Sequence, residues 1–156
     1  MKKQGRTYSA FDTAVYYLTF KDRTKKELAD KLTDKGYSSA DIDNAINRLE
    51  LYGYINDENY ALSYIKGNMK RKGVKLMAME LERKGIDRET FYQQIERSDI
   101  DELSAIEDIL KKRYSDISDD TTRRKAYAYF MRKGYKSDDI NRAFSRLIKQ
   151  KEDFDT

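Results

Sequence analysis

The stretch KGYSSADIDNAINRL, Lys35 to Leu49, returns further along the chain as KGYKSDDINRAFSRL, Lys133 to Leu147. Nine of the fifteen positions are identical. Between them lies a worn third copy, KGIDRETFYQQIERS, Lys84 to Ser98. Gly36, Gly85 and Gly134 are spaced 49 residues apart, and the copies align Lys35, Lys84 and Lys133, then Ile42, Phe91 and Ile140, then Arg48, Arg97 and Arg146. A fixed period of this length marks a repeat architecture, in which one small unit is stacked several times.

Each copy reads as three short helices. In the first, Ala14, Tyr17 and Leu18 stand at helical spacing. Thr24 followed by Glu27 is a capping box, and Leu28, Ala29 and Leu32 line the helix that it opens. Gly36 is placed to end that helix in the left-handed conformation. Ser38 or Ser39 caps the next helix, whose inward stripe is Ile42, Ala45, Ile46 and Leu49, and Gly53 stops it. The second copy opens with Tyr60, Ala61, Tyr64 and Ile65 on one face. The third places Leu103, Ile106 and Leu110 inward, then Ile140, Ala143, Phe144 and Leu147. SDISDD, Ser115 to Asp120, reads as a surface loop. The fold class expected is therefore all-α: three tandem three-helix modules, 10–55, 56–100 and 101–150, forming an elongated, curved repeat structure. A unit of about 50 residues buries little surface alone, so neighbours must share interfaces.

Composition agrees with long helices and a thin core. Charged residues are 38% of the 156, and mean hydropathy is -0.96. There is no Pro and only 7 Gly, while 13 Tyr and 6 Phe argue against disorder. The longest apolar run, Ala126 to Met131, falls far short of the roughly 20 residues of a membrane span. The start, MKKQGRTYS, has no apolar run after its charges and does not read as a secretory signal. Without Cys there are no disulfides and no thiolate metal ligands, which suits a cytoplasmic protein. Without His or Cys, Ser-His and Cys-His catalysis and imidazole-bound zinc are excluded within the chain. DIDNAIN, Asp41 to Asn47, begins like a calcium loop but has Ile46 where Gly is required. GNMKRKGVK lacks the spacing and the Gly-Lys-Ser/Thr of a phosphate loop. No cofactor or metal motif is left, and an enzyme is not expected.

Charge is uneven beneath the formal net of +4. Lys66 to Lys75 holds five basic residues and no acid, and Thr121 to Lys136 holds six and none. Asp87 to Asp108 holds eight acids against two arginines. Single-sign stretches of Lys and Arg fit a phosphate backbone or an acidic partner better than an inert solvated face. Tyr60 and Tyr64, four residues apart, read as packing residues with a wet hydroxyl, and base stacking is the sharper alternative.

Three segments together carry a resemblance: EL, KL and KGY around Leu28 to Tyr37, then AINRLELYGYINDENYALSYI, then MKRKGVKLMAMELERKGI. Their order and spacing resemble the RecX family of bacterial recombination regulators, over about residues 10 to 150. The residues concerned include Glu27, Leu32, Gly36, Leu49, Tyr54, Asp57, Ala61, Arg71, Gly73, Leu81 and Gly85. The resemblance implies a non-enzymatic regulator of homologous recombination and the SOS response, built from three-helix modules. Such a protein binds the RecA filament on single-stranded DNA and restrains its ATPase and strand exchange. Contact residues implied by the charge map and the resemblance together are Lys25, Lys26, Tyr64, Lys66, Lys70, Arg71, Lys72, Lys75, Arg83, Lys84, Arg123, Arg124, Lys125, Arg132 and Lys133. Partners expected are the RecA filament and single-stranded DNA, with duplex DNA as an option and no membrane. A monomer is expected, because no heptad seam is sustained. Two other readings stay open: a stand-alone DNA-binding protein with helix-turn-helix modules, and a helical adaptor without nucleic acid.

Overall fold

A computed structural model describes residues 8–155, and the reading of the first seven residues as lacking a secretory signal lies outside them. Among the described residues there are nine helices and no strand. They run α1 (Ala10–Leu18), α2 (Lys25–Asp34), α3 (Ser39–Leu51), α4 (Asp57–Asn68), α5 (Val74–Arg83), α6 (Arg88–Ser98), α7 (Glu102–Arg113), α8 (Asp120–Arg132) and α9 (Ser137–Asp155).

Local chemistry sets the helix ends. Thr24 and Glu27 form the full capping box of α2. Ser38, rather than Ser39, caps α3 by accepting from the Asp41 amide at 3.1 Å. Ser9, Asp101 and Asp119 do the same for α1, α7 and α8. The corners at Gly36, Gly85 and Gly134, each after the second helix of a trio, have φ of 92°, 95° and 86°. Gly53 takes φ 79° after α3, whereas Asp99 takes the left-handed position after α6 at φ 54°. Asp tolerates that region because its short side chain bonds locally.

By compactness the chain groups into two units, with boundaries inside α4, α5 and α6. The first contains the chain up to Ser63 together with Leu81–Gln94. Its core is Ala10, Ala14, Leu28, Leu32, Ile42, Ala45, Leu49 and Ile55. Ile46, expected inward, is only half-buried, as are Tyr17, Leu18 and Ala29. They sit at the stripe's edge, where a helix with a narrow apolar face meets solvent. The second unit contains Tyr64–Glu80 and the chain from Ile95. Its core gathers Ile106, Leu110, Phe130, Tyr135, Ile140 and Phe144 with smaller neighbours. Leu103 and Leu147 are half-buried against it. Ser115 to Asp120, expected to be a surface loop, is corrected in one respect: Ile117 is 3% exposed and belongs to the core.

Tyr135 is 1% exposed, and its buried hydroxyl has no hydrogen-bond partner among the described residues. Burial pushes its phenol above the ordinary range. Removing an unsatisfied buried hydroxyl removes its desolvation penalty. Tyr135→Phe is therefore expected to raise the unfolding free energy by about 1 kcal/mol. Urea melts of the two proteins check this; a clear loss of stability would mean that the hydroxyl has a partner.

Candidate nucleic-acid interface

Two of the glycine corners, at Gly85 and Gly134, do more than end a helix. The corner after α5 receives the start of α2, and the corner after α8 receives the start of α5, by the same construction. In the first unit the Thr24 hydroxyl donates to the Lys84 carbonyl at 2.6 Å. In the second, the Gly73 amide donates to the Lys133 carbonyl at 2.8 Å, and the Lys75 amide to the Gly134 carbonyl at 3.2 Å. A carboxylate locks each junction. The Lys25 amide, first in α2, donates to Asp57 at 3.0 Å. The Val74 amide, first in α5, donates to Glu102 at 2.8 Å, and the other oxygen of Glu102 accepts from the Lys136 amide at 3.1 Å. These carboxylates satisfy amides that a helix start leaves without a partner and sit at the positive end of its dipole. Glu102 is 7% exposed, and both of its oxygens are taken up by these amides. In Glu102→Gln an amide group would face one of those donors, which should cost about 2 kcal/mol. Thermal melts would show the loss, and an unchanged midpoint would contradict it.

The junctions differ in charge. At the first, Lys25 pairs with Glu50 at 3.1 Å, Lys26 with Asp30 at 2.9 Å and Lys84 with Glu27 at 3.2 Å. The hydrogen bond that the Lys25 ammonium donates to Glu50 lifts it above its ordinary range, and the one Lys26 donates to Asp30 does the same. For Lys84, burial pulls downward, and Glu27 and Tyr60 more than offset it. Arg83 is exposed and has no ion pair among the described residues.

The second junction draws together the two acid-free stretches of the sequence. Within it, Lys72 is paired with Glu80 at 2.7 Å, and the Tyr64 hydroxyl donates to the same carboxylate. Lys72 also lies 5.5 Å from the Tyr64 ring. The stretch that lacks acids in sequence thus acquires one in space. Arg71 turns back onto Asn68 at 2.6 Å. Lys66, Lys70 and Lys75 are exposed and have no ion pair among the described residues. On the α8 side, Tyr129 is flanked by Arg132 and Lys133, both at 5.9 Å from its ring. A third cation, Arg113 from the end of α7, lies 4.5 Å from the same ring. Sequence reading missed Arg113 because it follows the acidic stretch ending at Asp108; the signal was the run Lys111, Lys112, Arg113 in a helix's last turn. Helix dipoles account for cations at these ends but not for three on one ring.

Arg123, Arg124 and Lys125 stand apart from this cluster, near the start of α8, roughly 12 Å along the axis from Arg132. Arg123 is engaged with the Ile117 carbonyl at 3.0 Å and with Asp120, and Arg124 approaches Asp120 at 3.9 Å. Lys125 is exposed. No cluster of potential metal ligands occurs among the described residues, and no described helix is long and apolar enough to cross a membrane.

Comparison with known proteins bears on the whole arrangement. Family models described as the first, second and third three-helix domains of RecX match residues 10–49, 56–91 and 100–144 in order. A Regulatory protein RecX from Clostridium beijerinckii is 32% identical over 132 residues, covering 81% of this chain and 62% of its own. One of the same name from Bacillus velezensis is 32% identical over 151 residues, covering 92% and 57%. The chain thus spans about three fifths of the length of these relatives. The crystal structure of RecX from Lactobacillus salivarius is similar with a TM-score of 0.78 and 30% identity, covering 88% of this chain and 94% of that one.

Proposed function

This chain belongs to the RecX family, and from that premise we propose that it binds the RecA recombinase filament on single-stranded DNA and restrains its ATPase and strand exchange. In this reading it modulates homologous recombination, DNA repair and the SOS response without catalysing a reaction, and acts as a monomer in the cytoplasm. The relatives are named regulatory proteins, which agrees with a non-catalytic role. The observation that supports the reading most is the second junction. The backbone contact between Gly73 and Lys133 draws two basic stretches together, and most of their cations have no ion pair among the described residues. A partner coated in phosphate answers such a surface. The three modules, 10–55, 56–100 and 101–150, supply the repeated junctions that carry it.

Co-sedimentation tests the reading. The chain should pellet with recombinase-coated single-stranded DNA in the presence of ATP. Binding to bare duplex DNA alone, with none to the filament, would favour a stand-alone DNA-binding protein instead.

A further inference from the structure

We infer that the phosphate backbone of single-stranded DNA is gripped by the second junction, at the cluster of Arg113, Arg132 and Lys133 around Tyr129, and that the first junction takes no part in that grip. The inference rests on the reading of this chain as a filament regulator and assigns one of that partner's two components to a surface.

Four observations carry it. Both junctions set a helix start against the lysyl carbonyl of a glycine corner and close it with a carboxylate, but their cations are neutralised to different degrees. At the first, three of four cations already have a carboxylate within 3.2 Å. At the second, Lys72 alone has one among the described residues, at 2.7 Å. Three cations from two helices converge on a single ring at 4.5, 5.9 and 5.9 Å, an arrangement whose mutual repulsion is relieved by an anion. The Lys75 amide is hydrogen-bonded to the Gly134 carbonyl, which sets the start of α5, with its exposed Lys75, beside the corner that follows Arg132 and Lys133.

The choice between nucleic acid and an acidic protein face follows from what surrounds the ring. Protein interfaces draw their energy from an aromatic or aliphatic anchor buried in a pocket. Tyr129 is half-buried, packed edge-to-face with Phe130 at 5.4 Å and covered by Arg113, so it is not open as such an anchor. Several cations without an ion pair among the described residues suit a polyanion of uniform sign. Planar guanidinium groups at Arg113 and Arg132 match phosphate oxygens in pairs.

The test uses the full chain and a fluorescein-labelled oligothymidylate, followed by anisotropy over a series of salt concentrations. For single strands each phosphate contact contributes about 0.7 to the slope of log affinity against log salt. Arg113→Gln, Arg132→Gln and Lys133→Gln together should flatten the slope by about 2, so that the loss of affinity between about 50 and about 200 mM salt shrinks by roughly 20-fold. Arg113→Gln alone, at an exposed side chain, should flatten it by about 0.7 and guards against a folding defect in the triple variant. Lys25→Gln, Lys26→Gln and Lys84→Gln together should leave the slope as it is. A wild-type slope in the second-junction variants, or a wild-type chain that does not bind the oligonucleotide, overturns the inference. Recombinase ATPase measured on the same proteins separates the two claims. Variants that keep the slope but no longer inhibit would move this surface to the protein side of the filament and leave the regulatory reading standing. A wild-type chain without inhibition would end that reading, whatever the slopes.

Discussion

Gly73→Ala is expected to lower the unfolding free energy by about 3 kcal/mol or more. A Cβ at Gly73 would lie well under 3.0 Å from the carbonyl carbon and oxygen of Gly134 and from the Tyr135 amide. Those are backbone atoms on a packed corner and have no rotamer to escape into. Gly53→Ala provides the contrast. There φ is 79° but nothing lies within 4 Å of the added carbon, so only the left-handed strain of about 1 kcal/mol applies. Gly134→Ala combines both penalties, because φ is 86° and the new carbon meets the Leu76 amide. Denaturant melts should therefore rank Gly53→Ala as mild and the other two as severe. A Gly73→Ala effect as mild as that of Gly53→Ala would mean that close approach does not set the cost.

Reversing Lys66, Lys70 and Lys75 to Glu is expected to weaken association with the recombinase filament on the order of 100-fold, at about 1 kcal/mol per reversed charge. These side chains are exposed and without an ion pair among the described residues, so helical content should be untouched. Lys72 is left out of the variant because its reversal would strand Glu80 and disturb Tyr64, confusing lost binding with lost structure. The midpoint of a co-sedimentation titration measures the shift. A midpoint within a few-fold of wild type would mean that this corner is solvated decoration.

Much of the local architecture is legible in the sequence, because its causes are local. Thr24 with Glu27, Ser38, and the glycines at 36, 85 and 134 act within a turn of their own position, and each is found as expected. What escapes is what depends on distant segments. Nothing near Gly73 announces that the Gly134 backbone will lie against it. Asp57 and Glu102 have equivalent roles, yet they lie 45 residues apart rather than 49, so the repeat alignment hides them. Ile117 is surrounded by Ser and Asp, and a polar window conceals one core residue. In the candidate interface, sequence locates both basic stretches. It does not reveal that Glu80 reaches Lys72, or that Arg113 joins Arg132 and Lys133 around Tyr129, because these pairings cross between separate elements.

The most direct test of the account is the ATP hydrolysis rate of a recombinase filament on single-stranded DNA, titrated with this chain. The rate should fall in a saturable manner with the wild-type protein and stay near its starting value with the Lys66, Lys70 and Lys75 reversal at the same concentrations. A rate unmoved by saturating wild-type protein, or lowered equally by the charge-reversed variant, would contradict the proposal that this family member restrains the filament through its basic second junction.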